Sequence, residues 1–115
     1  MAKEYRAVAK GVSFSAQKIR LVVDVIRGKD VVEALDTLKF LAPRSSEPVY
    51  KVVRSAMLNA EENFGVSRGN LYIYKIFADE GRTLRRGRFG GRGRFKPRLR
   101  RYSHVTVILR ERDEK

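Results

Sequence analysis

The sequence predicts an α+β fold, a two-layer body in the order β-α-α-α-β-β from which a long antiparallel β-hairpin protrudes, and three observations in its 115 residues carry that prediction. Apolar residues recur at helical spacing in three successive stretches of the first half. Two runs rich in aromatic and β-branched residues, Leu71 to Asp79 and Tyr102 to Leu109, read as strands. Between those runs lies Arg82 to Arg101, RTLRRGRFGGRGRFKPRLRR, which holds nine Arg, one Lys and no acid, too polar for a core and too well flanked for a tail.

The elements follow in order. Glu4 to Val12 alternates, with Tyr5, Ala7 and Ala9 on one side and Arg6, Val8 and Lys10 on the other, as a short strand does. Ser13 and Ser15 offer N-caps for a helix running to about Arg27 and stopped by Gly28. Ile19, Val22, Val23 and Ile26 form its core stripe, while Lys18, Arg20, Arg27 and Lys29 lie near its ends or outer side and extend a cationic surface. Asp30 followed three places later by Glu33 resembles a capping box for a second, short helix, with Val31, Ala34, Leu35, Leu38 and Leu41 as its buried stripe and Pro43 as its end. A third helix begins between Arg44 and Glu47, because Pro48 fits a first turn but breaks a helix interior. Val49, Val52, Val53, Ala56, Met57, Ala60 and Phe64 carry its stripe, and Gly65 closes it.

After a loop from Val66 to Asn70 come the two strands and the segment between them. A turn centred on Gly90 and Gly91 sets Ile76 opposite Val105 and Tyr74 opposite Val107. About ten residues per side at about 3.3 Å each carry the tip roughly 30 Å beyond the last well-packed pair. The whole is expected to be one domain, with residues 1–80 and 102–112 as a globular body and 81–101 as an extended basic arm. A two-stranded ribbon that long is marginal in water without a partner.

Charge says what kind of partner. The arm carries +10 of the chain's +13, leaving sixteen basic and thirteen acidic side chains elsewhere, a nearly balanced body. With only Leu84, Phe89, Phe95 and Leu99 as large apolar residues, the arm cannot bury enough surface to offset the entropy of ordering itself. A polyanion would give it shape. Arg greatly outnumbers Lys, and a guanidinium forks onto phosphate oxygens and stacks on bases, which favours nucleic acid over a lipid surface. No apolar run reaches the roughly twenty residues of a membrane helix, and Met1 to Lys10 lacks the hydrophobic core of a signal peptide, so a cytosolic protein is expected. The absence of cysteine removes disulfides and thiolate-based zinc sites.

Catalytic chemistry finds little support. The one histidine, His104, sits in a strand pattern with no thiol in the chain, and reads as a side chain hydrogen-bonded to backbone or to RNA. Asp79 with Glu80, and Glu61 with Glu62, are neighbours whose side chains diverge, better suited to pairing with arginines than to a metal. The glycines from Gly87 to Gly93 are followed by no helix and form no dinucleotide fingerprint. No enzyme, cofactor or metal is expected.

Several short motifs, in order, carry a resemblance. They are Lys18-Ile19-Arg20-Leu21-Val22 leading to Ile26-Arg27-Gly28-Lys29, then Glu33-Ala34-Leu35, Ser55-Ala56 with Asn59-Ala60 and Asn63, Asp79-Glu80-Gly81, and Ser103-His104-Val105-Thr106-Val107. On these the chain resembles, from about Arg6 to Arg110, the large-subunit ribosomal protein L-twenty-two family of bacteria and organelles. It departs from the family's usual Ser-Pro-Arg-Lys at Ser15-Ala16-Gln17-Lys18, and from its usual Pro and basic residue at Phe89 and Gly90. The resemblance implies a structural protein of the cytoplasmic ribosome that supports subunit assembly. Its hairpin would thread through 23S-type ribosomal RNA and help line the polypeptide exit tunnel beside neighbouring ribosomal proteins and the nascent polypeptide. It implies rRNA contacts by Arg82, Arg85, Arg86, Arg88, Arg92, Arg94, Lys96, Arg98, Arg100 and Arg101. Lys18, Arg20, Arg27 and Lys29, which would otherwise be a solvated face, are expected to extend that RNA-binding surface. The tip facing the tunnel would be Gly87, Arg88, Phe89, Gly90, Gly91, Arg92, Gly93 and Arg94. The other reading of the residues is a free-standing module that binds single-stranded RNA, or acts as an RNA chaperone, through the Arg-Gly arm with Phe89 and Phe95 stacking on bases.

Overall fold

A computed structural model describes residues 3–41, 44–89 and 95–112, and for 82–89 and 95–100 the backbone alone is considered. The first strand, β1 (Glu4–Val12), keeps the expected alternation, with Tyr5 buried, Ala7 and Ala9 half-buried, and Arg6, Val8 and Lys10 exposed. Helix α1 (Ala16–Ile26) takes Ser15 as its N-cap, whose hydroxyl accepts from the Lys18 amide at 3.4 Å, and Gly28 beyond its end has φ 80°. Ile19, Val22, Val23 and Ile26 are buried along its core stripe. Burying each stabilises by about 1.5–3 kcal/mol before the cost of ordering it.

Helix α2 (Val31–Phe40) is N-capped by Asp30 in position only. Asp30 makes no capping bond, so the expected capping box does not form: its carboxylate is engaged by the Arg112 guanidinium at 2.5 Å, and Glu33 pairs with Lys29 at 3.6 Å. The helix ends at Phe40 with Leu41 half-buried, while Pro43, expected to end it, lies outside the described residues. Helix α3 (Ser46–Phe64) holds Pro48 in its first turn and stops at Gly65, whose left-handed φ of 65° lets its amide return to the carbonyls of Ala60 and Glu61. Phe64, expected in the buried stripe, is 57% exposed instead. It lies at the helix's last residue, past the sheet's cover, where its ring meets only the edge of the core through Tyr5 at 5.1 Å.

The last two strands are far longer than their apolar runs. They are β2 (Leu71–Phe89), reached through a short 3-10 turn at Arg68–Asn70, and β3 (Phe95–Glu111). The antiparallel sheet has the order β1-β3-β2, so the C-terminal strand lies in the middle. All three helices pack on one face, α1 against β2 and α3 against β1 and β3, over Tyr5, Ile73, Ile76, Val105, Val107 and Leu109.

The register differs from the expectation. Ile76 pairs with Val107, not Val105, and Tyr74 has no partner because it is the extra residue of a bulge between Ile73↔Leu109 and Lys75↔Ile108. A second irregularity sets Gly81 and Arg82 against Tyr102 alone. The turn placed at Gly90 and Gly91 lies outside the described residues, and the pair that flanks it, Phe89↔Phe95, has Arg92 as its midpoint. Each bulge moves the ladder by one residue, which a uniform count from the turn cannot anticipate. The shift at Ile76 is an even number of residues, so Ile76 keeps the face expected of it, but the bulge at Tyr74 brings Ile73, three residues away, onto that same buried face.

Candidate nucleic-acid interface

The arm leaves the body where three strands become two. The last pair of β1 is Val12↔Ser103, and from Thr83↔Arg101 outward only β2 and β3 remain. His104 stands at this root and takes the structural role expected of it. Its Nδ1 accepts from the Gly11 amide at 3.1 Å, at the point where Gly11, with φ 68°, breaks the β1 ladder. From the other side Gly81 closes in, so near that a Cβ there would stand 3.1 Å from His104 Nε2 and 3.2 Å from the Tyr102 carbonyl. One imidazole thus joins β1 to the base of both arm strands. The N-terminal end of α1 flanks the same root, where Ser15 and Gln17 share a cleft of about 360 Å³ with Glu80, Arg101 and Tyr102.

Beyond the root the backbone ladder runs without further irregularity from Thr83↔Arg101 to Phe89↔Phe95, about 20 Å at the usual strand rise. It gives the protein a long dimension of 69 Å against 25 and 19 Å. The pairing sets Arg86 opposite Arg98 and Arg88 opposite Lys96. Like charges directly opposed destabilise a ladder, and Arg82 to Arg101 contains no acid to offset them. Such a ribbon holds its shape when an anion lies along it. Of the remaining arm residues singled out, Arg82, Arg85 and Gly87 fall on β2, and Arg100 and Arg101 on β3. Gly90, Gly91, Arg92, Gly93 and Arg94 lie outside the described residues.

The four helix-borne cations do not act alike. Arg20 donates through Nε and Nη2 to the Ala78 carbonyl at 3.2 and 3.0 Å. Arg27 donates through Nη2 to the Ile76 carbonyl at 3.2 Å and through Nη1 to Asp24 at 2.7 Å. Together with the Ile73 amide, which donates to the Lys29 carbonyl at 2.9 Å, they cover the outer edge of β2 in place of a fourth strand. Lys29 is paired with Glu33, whereas Lys18 is exposed and makes no ion pair among the described residues. Sequence reasoning grouped these four by charge and missed the edge-covering pair. Arg20 and Arg27, seven residues and so about two turns apart on one face of α1, were the signal available.

Two further cations were missed as well. The Arg110 guanidinium stacks on the Tyr74 ring at 3.4 Å and is held by Glu4 at 2.6 Å, a hydrogen bond that keeps its pKa above the ordinary value. Arg112 lies 4.6 Å from the Tyr72 ring centre. No three His, Cys, Asp or Glu gather to hold a metal among the described residues, and no helix there is long and apolar enough to cross a membrane.

A small α+β body that prolongs two of its own strands into a purely cationic ribbon defines a basic-arm protein, organised around an extension rather than a pocket. The chain belongs to the ribosomal protein L22p/L17e family, structural and non-enzymatic, whose sequence profile matches residues 7–110. It is 51% identical over 110 residues to the large ribosomal subunit protein uL22 of Pediococcus pentosaceus, covering 95% of this chain and 92% of that one. To the uL22 of Dehalococcoides mccartyi it is 45% identical over 106 residues, 92% of this chain and 97% of the relative. To that of Thermoanaerobacter sp. it is 46% identical over 110 residues, 96% and 99% of the two.

Proposed function

We infer that this protein is a structural component of the large ribosomal subunit, cytoplasmic with the ribosome, and that it binds 23S-type rRNA chiefly through its arm. Residues 1–80 and 102–112 serve as the body that docks, and 81–101 as the arm that enters folded RNA. The observation that carries this reading is the ribbon itself, a ladder with Arg86 against Arg98, Arg88 against Lys96 and no acid from Arg82 to Arg101. Phosphates interleaved along it remove the like-charge repulsion, and the counterions they release drive association. Phosphate contacts position the arm, while RNA shape more than base identity specifies the site.

Family membership supports the finer assignments: a part in subunit assembly, neighbouring large-subunit proteins as partners, and a tip at Gly87–Arg94 that meets the exit tunnel and the nascent polypeptide. Lys18 is the helix-borne cation best able to add an RNA contact, since Arg20, Arg27 and Lys29 already have partners within the chain. Titration of the protein with transcribed large-subunit rRNA tests the mechanism. For some six to ten phosphate contacts, affinity falls by about 10³- to 10⁵-fold between 50 and 200 mM salt. A flat response contradicts it. Equal affinity for unstructured single strands replaces it with the free RNA-binding module.

A further inference from the structure

The helices cover one face of the sheet and leave the other open. Across that open face, register sets Val8, Thr106 and Phe77 in a single row over all three strands. Thr106 is 4% exposed, while Val8 and Phe77 at the ends of the row are 41% and 36% exposed, so the row is a shallow apolar floor. Around it stand Arg6, Lys10 and Lys75, all exposed and none in an ion pair among the described residues. Charge on this face is one-sided. Glu4 is already paired with Arg110, which leaves Asp79 as the one carboxylate there without an ion pair among the described residues. The Tyr74 ring carries the Arg110 guanidinium on its face, so Phe77 is the ring with no cation stacked on it. The face also continues into the arm, because β2 and β3 run from body to arm as unbroken strands. RNA lying along the arm therefore reaches this floor without leaving the surface.

We propose that the helix-free face of the sheet is a second RNA-docking surface, where Phe77 and Val8 receive an unpaired base while Arg6, Lys10 and Lys75 hold the flanking phosphates. This rests on the rRNA-binding reading above and names a site on the body that the arm's charge does not imply. A flat aromatic and aliphatic floor accepts the π-face of any base, and Arg6 and Lys10, four residues and so about 13 Å apart along β1, flank it as cations that can follow the backbone. An acidic peptide would satisfy the cations but leave the stacking floor unmatched.

Photocrosslinking in assembled large subunits tests it. The photoreactive residue p-benzoylphenylalanine replaces Phe77 in one full-length protein and Phe89, on the arm, in another. The proposal predicts RNA adducts from both. Adducts from position 89 alone, or protein-only adducts from position 77, overturn the docking surface and leave the arm's role standing. Failure of both to capture RNA overturns the rRNA-binding reading as well. In parallel, the triple variant Arg6→Ala, Lys10→Ala, Lys75→Ala keeps the fold, since all three side chains are exposed. Its salt slope for transcribed large-subunit rRNA falls by about two to three, the loss of three phosphate contacts. An unchanged slope contradicts the proposal.

Discussion

Ser103 is fully buried on the helix side of the sheet, at the last pair between β1 and β3, and its hydroxyl has no hydrogen-bond partner among the described residues. A hydroxyl taken from water and left unpaired costs about 1–3 kcal/mol, more than the small packing loss on its removal. Ser103→Ala is therefore expected to leave stability unchanged or raise it by up to about 1 kcal/mol in denaturant unfolding. A clear loss would mean that the hydroxyl is bonded. Gly81 makes the opposite case: its backbone is ordinary, but the space beside it is filled by the His104 ring and the Tyr102 carbonyl. Gly81→Ala forces one of these to move and is expected to cost about 1–3 kcal/mol, read as a lower midpoint of thermal unfolding. Both residues sit at the root, so the few places where local chemistry is unsettled coincide with the arm's departure.

At the scale of elements, the edge of β2 separates two kinds of cation on α1. Arg20→Ala removes two charge-assisted bonds to the Ala78 carbonyl and should lower unfolding free energy by about 1.5–3 kcal/mol. Lys18→Ala, which breaks no ion pair, should stay within about 0.5 kcal/mol and act only on RNA affinity. Equal effects of the two on stability would refute the edge-covering role. Charge alone did not reveal this distinction, since both are basic residues on one helix and only the seven-residue spacing of Arg20 and Arg27 marked the pair that faces the strand. The helices themselves were legible, because Ile19 to Ile26 and Val49 to Ala60 keep strict helical spacing and Gly28 and Gly65 mark the stops with positive φ. What local pattern could not reveal was long-range: Asp30 is held by Arg112 from the far end of the chain rather than by its own helix, and two bulges displaced the strand register. The arm's charge was plain, but the open face of the sheet was not, since Val8, Phe77 and Thr106 meet only when three strands assemble.

The whole molecule divides between a body with its own core and a basic ribbon poor in apolar residues. Among the described residues the core draws on β1, the three helices and the inner halves of β2 and β3, while Arg82 to Arg101 offers only Leu84, Phe89, Phe95 and Leu99 as large apolar residues. Replacing residues 82–101 by a short turn should therefore leave a body that unfolds in one cooperative transition, with rRNA affinity reduced by several orders of magnitude. The proposal is that the arm builds the protein into the large subunit. Its most direct test is sucrose-gradient fractionation of lysates after a high-salt wash, following the intact and the arm-deleted protein by mass spectrometry. The intact protein is predicted to remain with the large subunit in near-equal amount to other subunit proteins, and the arm-deleted body to wash into the light fractions. Release of the intact protein, or retention of the armless one, would contradict the claim.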